Sequence, residues 1–178
     1  MNRYSDPRYV TSSEDLKNIL ARCKKCYKLT LQASLILPIE SLGEMMLPKN
    51  HQKKFYAIVH VKSKQSSLGH WISLSCYLTE KKAVIIDPSN KYRFSNSTVH
   101  YIRLFCQKNH LSEINYAVQL QSPHSLACGQ ICVAMCGKTH NSSIQQILNV
   151  RKLIKTYSIP FNEHHLVSYA KKHFAISF

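Results

Sequence analysis

Apolar residues alternate between two periods along this chain. Residues 55–61, 71–78 and 83–87 are dense in the β-branched, aromatic and aliphatic side chains of buried strands, and residues 114–120 make a fourth run of the same kind. Thr79-Glu80-Lys81-Lys82 reads as the hairpin turn between the second and third runs, and the polar stretch from Lys62 to Gly69 as a loop that delivers His70 to the start of its strand. Around these the period changes to helical. Ser12 or Ser13 suits the N-cap of a first helix, with Glu14 and Asp15 in its first turn and Leu16, Ile19, Leu20 and Cys23 on one face. Ser95 or Asn96 opens a second, ending near Asn109, whose apolar face is Val99, Ile102, Phe105 and Cys106. After a loop at 121–125, the stretch from Ala127 onward is apolar on most sides, which marks a buried helix. Two more helices fall at about 142–155 and 162–174, while residues 29–54, broken by Pro38, Gly43 and Pro48, specify no clear element. The expected class is α+β, a strand block flanked by helices, without internal repeats.

Composition narrows this to one domain over residues 1–178, since 178 residues with 44% hydrophobic content can bury a core but hardly two. No stretch approaches the roughly 18 consecutive apolar residues of a membrane span, and MNRYSDPRYV lacks the apolar run of a signal peptide, so an intracellular, unsecreted protein or a virion component is expected. Seven cysteines, an odd number without framework spacing, point to free thiols and a reducing compartment. Charge adds a second expectation. With 24 Lys+Arg against 9 Asp+Glu the chain carries +15, which suits sequence-independent contact with polyanions such as DNA; solubility alone is the plainer use of such a surface. Lys49, Lys53, Lys54, Lys62 and Lys64 lie in an acid-poor segment, and Arg151, Lys152 and Lys155 form another cluster, but no nucleic-acid-binding motif accompanies either.

The candidate chemistry lies at the junctions of these elements. Cys128 falls at the start of the buried helix, where unpaired amides and the helix dipole favour a thiolate, and Gly129 beside it permits close approach of a substrate carbonyl. His70 begins one strand and Asp87 ends the next. If the two pair as a hairpin in which residue numbers sum to about 157, both emerge at one end, giving an imidazole oriented by a carboxylate. Gln121 or Gln119 can donate a side-chain N–H to an oxyanion. Other residues fit plainer roles. Cys132 and Cys136 read as small buried apolar residues, His124 as a solvated or substrate-side histidine, and His164-His165 as a solvated face. Cys23-Lys24-Lys25-Cys26 is half a zinc site without a second ligand pair, so no metal is expected.

Taken together, Gly69-His70-Trp71, Asp87 seventeen residues after His70, and the segment Gln121-Ser122-Pro123-His124-Ser125-Leu126-Ala127-Cys128-Gly129 resemble the adenain family of adenovirus-type maturation proteases, in the clan that also holds the SUMO and ubiquitin-like-protein proteases. The similar core runs from about 55 to 137. The step of seven from Gln121 to Cys128 selects Gln121 over Gln119 and matches adenain better than the SUMO proteases, where the step is typically six; the aspartate at 87 is the SUMO-protease choice, adenain usually having glutamate. The resemblance implies a papain-related fold with a mixed central sheet, a His70-Asp87-Cys128 triad with Gln121 at the oxyanion, and a narrow cleft at Gly69, Trp71 and Gly129 that passes small residues, glycine above all. It implies a monomer of the virion and host nucleus that cleaves capsid or core precursors, with double-stranded DNA and a short viral peptide as activators. The family's peptide-linking cysteine falls here on His110, and Cys106 lies within a predicted helix, which argues against a covalent peptide link. The alternatives are a SUMO-like or ubiquitin-like deconjugase, an acyltransferase using the same triad, and a non-catalytic DNA-binding virion protein.

Overall fold

A computed structural model describes residues 12–18, 34–47, 53–63, 66–89, 95–122, 125–137, 142–156 and 158–173. Its elements are α1 (13–18), β1 (Ser34–Pro38), α2 (Ile39–Glu44), β2 (Lys54–Ser63), β3 (Ser66–Tyr77), β4 (Lys82–Asp87), α3 (Asn96–Lys108), β5 (Ser112–Ala117), α4 (Cys128–Gly137), α5 (Ser143–Thr156) and α6 (Ile159–His173). The class is α+β. A five-stranded sheet in the order β1-β2-β3-β4-β5 is antiparallel at its centre and parallel at both edges. Parallel pairs need crossovers. That between β1 and β2 passes through α2, and that between β4 and β5 through α3.

Both faces of the central strands are covered, which explains why their sequences run apolar instead of alternating. Phe55, Ala57, Val59 and Val61 of β2, Ile72 and Leu74 of β3, and Ala83 and Ile85 of β4 pack with Leu42 of α2 and Ile102, Phe105 and Cys106 of α3. The opposite face, Tyr56, Ile58, Trp71, Tyr77, Val84 and Ile86, receives Ile131, Cys132, Val133 and Met135 of α4, backed by Val150 of α5 and Leu166 and Val167 of α6. The first helix is capped by Ser12, whose Oγ accepts the Asp15 N–H while the Asp15 carboxylate accepts the Ser12 N–H, a reciprocal capping arrangement. Leu16 is buried as expected; Ile19, Leu20 and Cys23 lie outside the described residues. Ser95 caps α3 by accepting the Thr98 N–H.

Three expectations change. The stretch from Lys62 to Gly69 is not a loop delivering His70: β2 continues to Ser63, β3 begins at Ser66, and His70 pairs with Val61 inside the ladder. Backbone pairing tolerates polar side chains at the end of a hairpin, so polarity there does not mark the end of the strand. The turn between β3 and β4 is a 3₁₀ turn, Leu78–Glu80, closed by Lys81 in the left-handed region at φ 51. The segment with no expected element holds β1 and α2, Pro38 ending the strand at its junction with the helix.

Candidate active site

The β3–β4 ladder ends at the rung Ser73–Ile86, and the site occupies the gap beyond it. Continued past that rung, the register brings Ser89 level with His70, two residues from the expected pairing with Asp87. A two-residue offset preserves the face, because side chains alternate with period two, so His70 and Asp87 still meet diagonally. His70 Nε2 lies 2.7 Å from Asp87 Oδ1, both residues being buried. Ser89 completes the group. Its N–H and Oγ–H both donate to Asp87 Oδ1 at 2.9 Å, and its Oγ is 3.2 Å from His70 Nε2. The first of these is an Asx turn across Pro88. Sequence reasoning passed over Ser89, although Asp-Pro-Ser at a strand end was its signal.

Gly69 has a defined structural task. It sits at φ 69, and a Cβ on it would come within 2.3 Å of His60 Nε2 and 2.9 Å of the Val61 carbonyl. Any side chain there would displace the His60 ring, which packs edge-on against Trp71 with centroids 4.7 Å apart. Trp71 is 8% exposed and belongs to the core under α4, its carbonyl lying 3.4 Å from Cys132 Sγ.

Cys128 is the first residue of α4, the Ile131 N–H reaching back to the Ala127 carbonyl at 2.9 Å. It is partly exposed, in contrast to the buried Cys132 four residues on. Burial alone would lower the pKa of His70, but the hydrogen bond to Asp87 and the nearby Cys128 outweigh it and raise it to about 9. At neutral pH the ring therefore carries its proton. Cys128 Sγ itself donates to the Leu126 carbonyl at 3.9 Å.

Gln121 is buried on the loop that follows β5. The Val118 N–H donates to the Asp87 carbonyl at 2.9 Å and the Leu120 N–H to the Pro88 carbonyl at 2.8 Å, so the chain stays beside the Asp87 turn as far as Gln121. Its Nε2 donates to the Ser125 carbonyl at 3.1 Å, while Oε1 is buried without a partner. Gly129 is buried in the first turn of α4, and Gln119 is half-buried. Glu163 on α6 accepts the Ser122 N–H, a contact no sequence pattern announced. Thus His70, Asp87 and Ser89 are joined by hydrogen bonds, Cys128 lies near enough to His70 to act on its ring, and the amide of Gln121 is bonded to its own loop.

His124, Cys23 and Cys26 lie outside the described residues; His164 and His165 are exposed. Among the described residues no group of three or more His, Cys, Asp or Glu could hold a metal ion, and no helix is long and apolar enough to cross a membrane. Cys106 is buried in α3, where burial and the nearby Glu113 push its thiol up to about 12; His110 is exposed at φ 53. No protein-family model matches the chain, and a search of curated proteins finds no match either.

Proposed function

We propose that the protein is a cysteine endopeptidase of the adenain type, with the related fold, that cleaves viral capsid or core precursors near glycine during virion maturation. The observation that carries this reading is His70, bonded to buried Asp87 with Cys128 near it at the opening of a buried helix. In the reaction Cys128 Sγ attacks the scissile carbonyl as thiolate, and charge passes to the carbonyl oxygen. The second Nε2 hydrogen of Gln121 and a backbone N–H at the Cys128-Gly129 turn receive that charge. His70 gives its proton to the departing amine, then takes one from the water that hydrolyses the thioester, while Asp87 keeps the ring oriented. As the resemblance implies, Gly69, Trp71 and Gly129 would border a cleft that admits small residues.

Double-stranded DNA is the proposed activator. The +15 charge favours it, and Lys53, Lys62, Arg151, Lys152 and Lys155 are all exposed. A second viral peptide activator would act without a covalent link, since position 110 is histidine and Cys106 is buried. Deconjugation of SUMO-like or ubiquitin-like proteins is the second reading, favoured by aspartate at 87. One assay separates them: cleavage of a Gly-containing precursor peptide and of a SUMO-like fusion, each with and without DNA. Maturation predicts peptide cleavage stimulated by DNA, the stimulation fading steeply between about 50 and 200 mM salt. DNA-independent cleavage of the fusion, with the peptide intact, overturns it.

A further inference from the structure

Three acidic residues among those described are buried: Asp15, Asp87 and Glu163. Asp15 closes the cap of α1 and Asp87 holds His70, which leaves Glu163 without a part in either. A buried carboxylate carries a desolvation cost unless it is hydrogen-bonded, and the partner of Glu163 is the backbone N–H of Ser122, next to Gln121. The same turn is closed by the Ser125 N–H on the Ser122 carbonyl at 3.0 Å and by the Ala127 N–H on Ser125 Oγ at 3.1 Å. Among the described residues Gln121 Nε2 donates to the Ser125 carbonyl and Oε1 has no partner, so the backbone at Ser122 and Ser125 sets where the amide points. Glu163 stands on α6, one turn before Leu166 and Val167, which pack in the core with Ile131, Val133 and Met135 of α4. Through α6 the Gln121 loop is thus referenced to the helix that begins with Cys128.

We infer that Glu163 is a positioning residue that holds the Gln121 amide in register with Cys128 for the developing oxyanion. This inference rests on the protease reading above. A group that acts only through an oxyanion donor should appear in kcat and vanish when the donor is removed. The experiment is peptide hydrolysis by Glu163→Ala, Glu163→Gln and Glu163→Asp, in the wild-type and Gln121→Ala backgrounds, with iodoacetamide alkylation of Cys128 and hydrogen exchange at the Ser122 amide. Glu163→Ala should lower kcat about tenfold with KM unchanged, and less than about twofold once Gln121 is alanine. Glu163→Gln keeps an acceptor oxygen in place and should remain within about threefold of wild type, whereas Glu163→Asp, one methylene short, should lose more. Exchange at Ser122 should quicken in Glu163→Ala while Cys128 alkylation holds its rate.

A full loss that persists in the Gln121→Ala background, or that falls equally on alkylation, makes Glu163 a general fold contact and overturns the proposal. Wild-type turnover in Glu163→Ala overturns it too, with the protease reading intact. If Glu163→Ala does not fold, Glu163→Asp carries the same test. A wild-type protein that cleaves neither peptide nor fusion overturns both.

Discussion

Cys128 and Cys106 stand on helices that cover opposite faces of one sheet, in surroundings that differ in burial and in neighbouring charge. Cys106 is near the end of α3, buried among Phe105, Ile102 and the β-strands, with the Glu113 carboxylate near it; its thiol rises to about 12 and stays protonated. Cys128 is the first residue of α4, partly exposed, and near enough to His70 to help raise the pKa of its ring. Burial and a negative neighbour suppress a thiolate, while a helix N-terminus and a positive neighbour favour one. On the protease reading proposed above, position within a helix, more than cysteine content, selects the nucleophile.

The sharpest way to break this contrast is to remove the sulphur. Cys128→Ala should abolish peptide cleavage and leave the fold intact, and iodoacetamide should label Cys128 well ahead of Cys106 and Cys132. Retained turnover in the variant, or faster labelling of Cys106, would reverse the comparison.

Next in size is the loss of the ring. His70→Ala should lower kcat/KM by about 10³-fold or more, because the thiolate loses its cationic partner, and Asp87→Asn should cost less. The pH dependence follows from the sign of the shift. The pKa of His70 is raised from 6.5 to about 9, so the imidazolium persists through neutral pH and its proton leaves as pH climbs through about 9. Activity should therefore hold to near pH 9 and fall above it. The stabilisation from this shift should be complete below 6.5 and gone above about 9, measurable as a fall in Tm across that window. An upper limb near 6.5 would show that Asp87 and Cys128 do not hold the proton.

Gln121→Ala should come third, with kcat down about a hundredfold and KM little changed, as for an oxyanion donor. An effect confined to KM would make Gln121 a substrate contact.

How much of this was legible beforehand depended on the range of the interactions. The start of α4 at Cys128 and the caps of α1 and α3 follow from local patterns, and local patterns carried them. The edge strand β1 did not stand out, because its pairing with β2 is long-range and its five residues end in proline. Side-chain polarity places His70 at a strand start, whereas backbone pairing carries β3 back to Ser66. The Glu163–Ser122 contact joins positions 41 apart through α6 packing, and nothing local encodes it. Ser89 is the instructive middle case: its Asx turn is local, but its meeting with His70 depends on a register that only the folded hairpin defines.

Ser89 also supplies the smallest predicted effect. Asp87 Oδ1 accepts from His70 and twice from Ser89, so the carboxylate is fixed by the serine before it fixes the histidine. Cys106 has no such arrangement, its neighbouring carboxylate acting on the thiol directly. Ser89→Ala removes the hydroxyl but spares the backbone N–H bond, so the carboxylate keeps one of its two anchors. A hydrogen bond to a charged group is worth about 1.5–3 kcal/mol, and with half the anchoring retained kcat/KM should fall roughly tenfold. Ser89→Thr keeps a hydroxyl in place and should stay within about threefold of wild type. Loss in both variants alike would assign the effect to packing in the Asp87-Pro88-Ser89 turn. Loss in neither would mean that Asp87 is oriented by the backbone of that turn alone.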